Sequence, residues 1–165
     1  RYDYILAMYL TRYAGLRVHE CFRIDTATAS RAIREQAITI KGKGGLVRTV
    51  PLHPILIPRL QYHLERTPRG KKLFVPDGVE THQAIKELQV FIYIHRPYVQ
   101  DPDSTRPLTF HGLRHLCVTE WYFQRIDAGA SPYEARKECA RLLGHGRDDV
   151  TTIYLASAKG DARHD

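Results

Sequence analysis

No run in the chain approaches the roughly 18 consecutive apolar residues that a membrane-spanning helix needs. The opening stretch RYDYILAMYLTRY carries charges where a secretory leader needs an unbroken apolar core. The expectation is a soluble, cytoplasmic domain with no membrane partner. Cysteine is scarce: three, at Cys21, Cys117 and Cys139, odd in number and far apart. That disfavours a disulfide framework and fits small core residues in a reducing compartment. His115 with Cys117, and Cys139 with His145, could in principle be gathered around zinc, but no C-x-x-C pair supports such a site, so no metal or other cofactor is expected. Internal repeats and low-complexity tracts are also lacking. Acid is nearly absent from residues 41–72, where Glu65 stands against Lys41, Lys43, Arg48, Arg59, Arg66, Arg69, Lys71 and Lys72. The net charge of +7 is the surplus of that stretch, since the other 133 residues balance. A basic block beside a neutral remainder suits a polyanionic partner docking on one side, or else a solubilising patch.

With 165 residues, 43% of them hydrophobic, the chain has the size of one globular domain with a real core. Helical spacing of Ile5, Leu6, Tyr9 and Tyr13 predicts a helix over 2–13 ending at Gly15, with shorter helices over 18–23 and 28–35. The segment AITIKGKGGLVRTVPL has strand-forming runs at 37–41 and 46–52 around a glycine-rich turn, a hairpin with Lys43 at or near its tip. Further helices are predicted over 53–66, with Pro58 kinking or delaying the start, over 80–95 with Ile85, Leu88 and Ile92 on one face, and over 110–126. A polar loop should run from Arg96 to Pro107. SPYEARKECARLLGH has the full grammar of a helix: Ser131 as N-cap, Pro132 at the first position, Glu134 closing a capping box, Ala135, Cys139 and Leu142 inward, and Gly144 as the stop. One more short helix over 148–155 would carry Tyr154.

In the segment FHGLRH, helical spacing places His111, Arg114 and His115 on one face, which should look outward while Leu113, Leu116, Cys117 and Trp121 pack inward. The motif is suggestive by itself. Its neighbours sharpen it: AGLRVHE sets Arg17 one turn before Glu20, KGKGG sets a lysine on a hairpin, and LLGH is followed nine residues after its histidine by Tyr154. In this order and spacing, from residue 2 to residue 155, the chain resembles the catalytic domain of the tyrosine recombinase, or phage integrase, family.

The resemblance implies an α+β fold, mostly helical with a small antiparallel sheet at one edge. It implies a catalytic set at Arg17, Lys43, His111, Arg114, His145 and Tyr154, with Glu20 and His115 in supporting positions. Residues 1–165 would be the catalytic domain, with the family's N-terminal core-binding domain outside this chain. The function implied is site-specific cleavage and rejoining of double-stranded DNA through a 3′-phosphotyrosyl intermediate, in integration or excision of a mobile element. The full-length protein would act in a tetrameric synapse, while the isolated domain would be monomeric.

The chemistry is coherent on its own terms. Breaking a phosphodiester this way needs a nucleophile, cations around the phosphate and an acid for the leaving oxygen. Tyr154 can be the nucleophile; Arg17 and Arg114 offer fixed forks of donors to the non-bridging oxygens. Lys43 can protonate the leaving hydroxyl, with Lys41 nearby as a competitor. His145 matches the family residue that binds the same phosphate, and His111 the one that moves the tyrosine's proton. Lys41 and Arg48 are expected to contact DNA. Two other readings stay open: DNA relaxation of the type IB topoisomerase kind, and a catalytically silent DNA-binding module.

Overall fold

The computed structural model describes residues 2–99, 102–103 and 107–144, apart from the side chains of Tyr2 and Lys43. The fold is α+β as expected. Among the described residues, α1 (Tyr2–Ala14), α2 (Val18–Cys21) and α3 (Thr26–Glu35) lead into a hairpin of β1 (Ala37–Lys41) and β2 (Val47–Pro51). Then come α4 (Leu56–Leu64), α5 (Thr81–Val99), α6 (Phe110–Asp127) and α7 (Pro132–Leu143).

Helix α1 is the central post. Its Leu6, Ala7, Leu10 and Ala14 are buried, and it packs against α2, α4 and α6. Arg12 donates from Nη1 to Glu120 of α6 at 2.8 Å, fixing that contact. Gly15 ends the helix at φ +62°, and an added Cβ there would lie 3.1 Å from the Trp121 ring. Only glycine both adopts that left-handed turn and lets Trp121 close over it. The chain is thereby steered into Arg17.

The hairpin is antiparallel, with Ile38 opposite Val50, Thr39 opposite Thr49 and Ile40 opposite Arg48. Period-two alternation puts Ile38, Ile40, Arg48 and Val50 on the buried face, while the hydroxyls of Thr39 and Thr49 pair at 3.0 Å outside. β1 packs on α3 and β2 on α7, so the hairpin lies between these two helices. Lys43 begins a single 3₁₀ turn, Lys43–Gly45, at the hairpin's end.

Three sequence expectations need correction. Helix α4 starts at Leu56 and not at residue 53, the later start being one of the two effects expected of Pro58, which stands in the first turn, where its missing N–H has no intrahelical partner to lose. Helix α5 continues through Pro97 to Val99, into the stretch expected as a loop; the Arg96 guanidinium lies 4.7 Å from the Tyr93 ring across that last turn. In α7 the inward residues are Ala135, Cys139, Ala140 and Leu143, with Leu142 only half-buried. The Ser131–Glu134 capping box and the Gly144 stop at φ +67° are present as read. Residues Cys139 and Leu143 join Val118, Trp121 and Tyr122 in a small second core between α6 and α7.

Candidate functional site

The site is organised around one carboxylate. Glu20, at the third position of α2, is buried at 1% exposure. Its Oε2 accepts from the backbone N–H of Arg17 at 2.8 Å, which closes the first turn of α2. Its Oε1 accepts from Arg17 Nη1 at 3.1 Å. Arg48 approaches from β2 as a two-pronged partner, Nη1 to Oε1 at 2.9 Å and Nη2 to Oε2 at 2.7 Å. Arg114 approaches from α6, its Nη1 3.8 Å from Oε2. Three guanidinium groups thus surround one acid, and the cluster is a region of positive potential inside a low-dielectric setting.

The far end of the cluster is the C-terminus of α7, where the last carbonyls have no partners within the helix. Arg48 Nε donates to the Leu142 carbonyl at 2.8 Å, and Arg114 Nη2 donates to the Leu143 carbonyl at 2.9 Å. Cations at a helix C-terminus also meet the negative end of its dipole. Gly144 follows, and a Cβ on it would sit 3.0 Å from Arg48 Cδ.

Titration behaviour follows the geometry. Burial alone would raise the Glu20 carboxyl, but the hydrogen bonds from Arg48 and from the Arg17 backbone, with the charges of Arg48 and Arg114, hold it down to about 2. Burial lowers His111, and the charges of Arg114 and Arg17 push it further the same way. His19 on α2 is lowered as well, by burial first and then by Arg23, Arg17 and Arg114 against the opposing pull of Glu20. Two imidazoles on separate helices therefore sense the same positive field. Burial also raises the Cys21 and Cys117 thiols to about 12 and Cys139 to about 11.

Helix α6 opens with Thr109 as N-cap, its hydroxyl accepting from the Gly112 N–H at 2.9 Å. His111 and His115 stand edge to face, 4.7 Å between ring centroids. Here the expected division of faces needs correction. Arg114 is not on an outer face; at 1% exposure it shares the buried stripe with Cys117 and Val118, while Leu116 is 45% exposed. The cause is Arg114's reach inward to Glu20 and to α7.

Arg48 is corrected in the same sense. It was expected on a DNA-contacting surface, but its side chain is 4% exposed and all three donor directions go to Glu20 and Leu142. The signal was available: Arg48 lies two residues before Val50, so it shares that residue's inward phase. His19 and the two α7 carbonyls had no such signal. Lys41 remains exposed and lines a shallow recess with Glu20, Arg23, Thr28 and Thr39. In the rest of the basic block Arg66, Arg69, Lys71 and Lys72 are exposed, and several of the cations have neighbours. Arg59 lies over the Tyr9 ring at 4.1 Å, Arg66 over Tyr62 at 3.6 Å, and Lys71 pairs with Asp77 at 2.7 Å.

Of the sequence candidates, the fold therefore gathers Arg17, Glu20, Arg48 and Arg114, and sets the backbone of Lys43 at the hairpin's end, one residue after Gly42. A Cβ on Gly42 would lie 3.3 Å from both Arg48 Nη1 and Glu20 Oε1. The candidates His145 and Tyr154, with the helix expected over 148–155, lie outside the described residues. Among the described residues no group of His, Cys, Asp and Glu is arranged to hold a metal ion, and no helix is long and apolar enough to cross a membrane.

Comparison with known proteins places this geometry. Residues 2–161 match the model of the phage integrase family. A tyrosine recombinase XerC of Chlamydia caviae is 27% identical over 143 residues, covering 86% of this chain and 43% of the relative. A second, from Caldanaerobacter subterraneus subsp. tengcongensis, is 26% identical over 159 residues, covering 92% and 40%. The chain thus spans less than half the length of the curated relatives it matches. Among solved structures, the Tn1549 transposon integrase in complex with circular intermediate DNA superposes with a TM-score of 0.69 at 14% identity, over 97% of this chain and 59% of that one.

Proposed function

Since the chain belongs to the phage integrase family, we propose that it carries the catalytic part of a site-specific recombinase that cuts and rejoins double-stranded DNA through a covalent 3′-phosphotyrosyl bond at Tyr154. The observation that supports this most is the convergence of Arg17 and Arg114, distant in sequence, on the two oxygens of Glu20. Such a fixed cationic cluster suits a phosphate whose charge rises as a fifth oxygen approaches phosphorus.

In the proposed step the Tyr154 oxygen forms a bond to phosphorus as the bond from phosphorus to the 5′ oxygen breaks. His111, whose neutral imidazole is favoured by burial and by Arg114 and Arg17, takes the phenolic proton. Lys43 gives a proton to the departing 5′ oxygen, and His145 adds a hydrogen bond to the phosphate. Attack by a 5′-hydroxyl reverses every transfer. The tyrosyl ester retains the energy of the broken phosphodiester, so resealing needs no nucleotide. DNA as partner is supported by the DNA-bound state of the transposon integrase. The wider assignment is integration or excision of a mobile element, by a tetramer of full-length protein on two duplexes.

The test begins with a duplex selected by this protein from a randomised pool and then nicked beside the cleavage position, so that the cut strand's short end diffuses away. An SDS-resistant protein–DNA adduct should accumulate with the native chain and be absent with Tyr154→Phe. Binding without adduct, in both proteins alike, would show a silent DNA-binding module instead.

A further inference from the structure

We infer that Arg48 is a positioning residue of this site, the strut that holds Glu20, the hairpin end and the α7 terminus in one arrangement. The inference rests on the strand-transfer reading above and reassigns a residue that charge alone would give to the DNA surface.

The argument is geometric. Arg48 donates from three nitrogens to two separate elements: Nη1 and Nη2 to the two oxygens of Glu20, and Nε to the Leu142 carbonyl. Glu20 in turn holds the backbone and guanidinium of Arg17. The α7 end held at Leu142 is followed in the chain by Gly144 and His145, and Gly42 on the hairpin is followed by Lys43. Both glycines leave the room that Arg48 fills: a Cβ at Gly144 would meet its Cδ at 3.0 Å, and a Cβ at Gly42 its Nη1 at 3.3 Å. One side chain therefore holds the group that orients Arg17 and lies close to the backbone preceding two other proposed participants, without itself reaching solvent.

Chemistry explains why arginine stands there. A planar guanidinium keeps its five donors in a rigid fork and stays charged when buried. A lysine could reach one Glu20 oxygen but could not also hold Leu142. Shifts of about an ångström around a reacting phosphate are enough to slow the chemical step while leaving the duplex bound.

The experiment compares the native chain with Arg48→Lys and with the charge-balanced pair Arg48→Met plus Glu20→Gln, which avoids stranding a buried carboxylate. Thermal melting, duplex affinity and the single-turnover rate of adduct formation at saturating protein are measured on the nicked duplex. We expect Arg48→Lys to bind DNA within about threefold of the native chain and to form adduct on the order of tenfold to a hundredfold more slowly. If Arg48→Lys does not fold, the paired variant carries the test beside Glu20→Gln alone: adduct formation slower in the pair than in Glu20→Gln, with native-like binding, supports the strut, and equal rates overturn it. Native-like rate in a folded variant of either kind overturns it, leaving Arg48 a counter-ion for Glu20. Weakened binding with a native rate at saturation also overturns it and returns Arg48 to DNA contact. A native chain that forms no adduct at all removes the strand-transfer reading itself, a result distinct from the others.

Discussion

Glu20 shows how a single buried acid can be both costly and necessary. Removing a carboxylate from water is unfavourable, and its attraction to Arg48 offsets that only because both oxygens are hydrogen-bonded. Exchanging Glu20 for Gln leaves Arg48 buried with a neutral partner, so Glu20→Gln should lower unfolding stability by about 3–5 kcal/mol at neutral pH. The pH dependence has a definite sign. The folded carboxyl is held down to about 2, below its value in the unfolded chain. Its contribution is therefore complete above the unfolded value of about 4.3 and fades as pH falls towards the folded one. Urea unfolding of the two proteins should show a gap at neutral pH that narrows near pH ~3. A gap independent of pH would mean that packing, not ionisation, is what Glu20 supplies.

At the scale of elements, what the sequence made legible follows the range of the interaction. Helix α7 is readable from its letters because Ser131, Pro132, Glu134 and Gly144 act within one turn of each end. The hairpin's phase was readable too, yet the positive charge of Arg48 suggests the opposite side. Only the opposing acid on α2 explains why a cation follows the inward phase of Val50. The same holds for Arg114, which sits on the buried stripe of α6 because its partners come from α2 and α7. Such long-range reasons leave no trace in local spacing. They do make the junction testable through two glycines. Gly144 and Gly78 both have φ near +70°, at +67° and +77°, but only Gly144 has a neighbour, Arg48, where a Cβ would go. Gly78→Ala should cost about 1 kcal/mol for the left-handed backbone alone. Gly144→Ala should cost more, by about 1 kcal/mol or above, because Arg48 must give way. Chemical denaturation of both variants measures the difference; equal losses would show that Arg48 adjusts freely.

For the molecule as a whole, the basic residues of 41–72 differ in what they offer a partner. Arg48 is internal, Lys71 is paired with Asp77 at the surface, and Lys41 stands exposed beside the Glu20 recess. Affinity for duplex DNA should fall steeply as salt rises, because each neutralised phosphate releases counterions. Lys41→Ala should make the log–log salt slope shallower by about 0.9, the share of one phosphate, whereas Lys71→Ala should leave it unchanged. A shallower slope from Lys71→Ala with none from Lys41→Ala would place the duplex over the Lys71 region instead of the recess.

Arg17 lies near one end of the chain, and the carbonyls of Leu142 and Leu143 that tether the arginines lie near the other. During synthesis the first cation emerges from the ribosome long before the last tether exists, so a half-made polypeptide holds the parts of the cluster without the cluster. Any stalled or clipped product lacking α7 inherits the same incompleteness, with Arg48 and Arg114 deprived of the carbonyls that tether them.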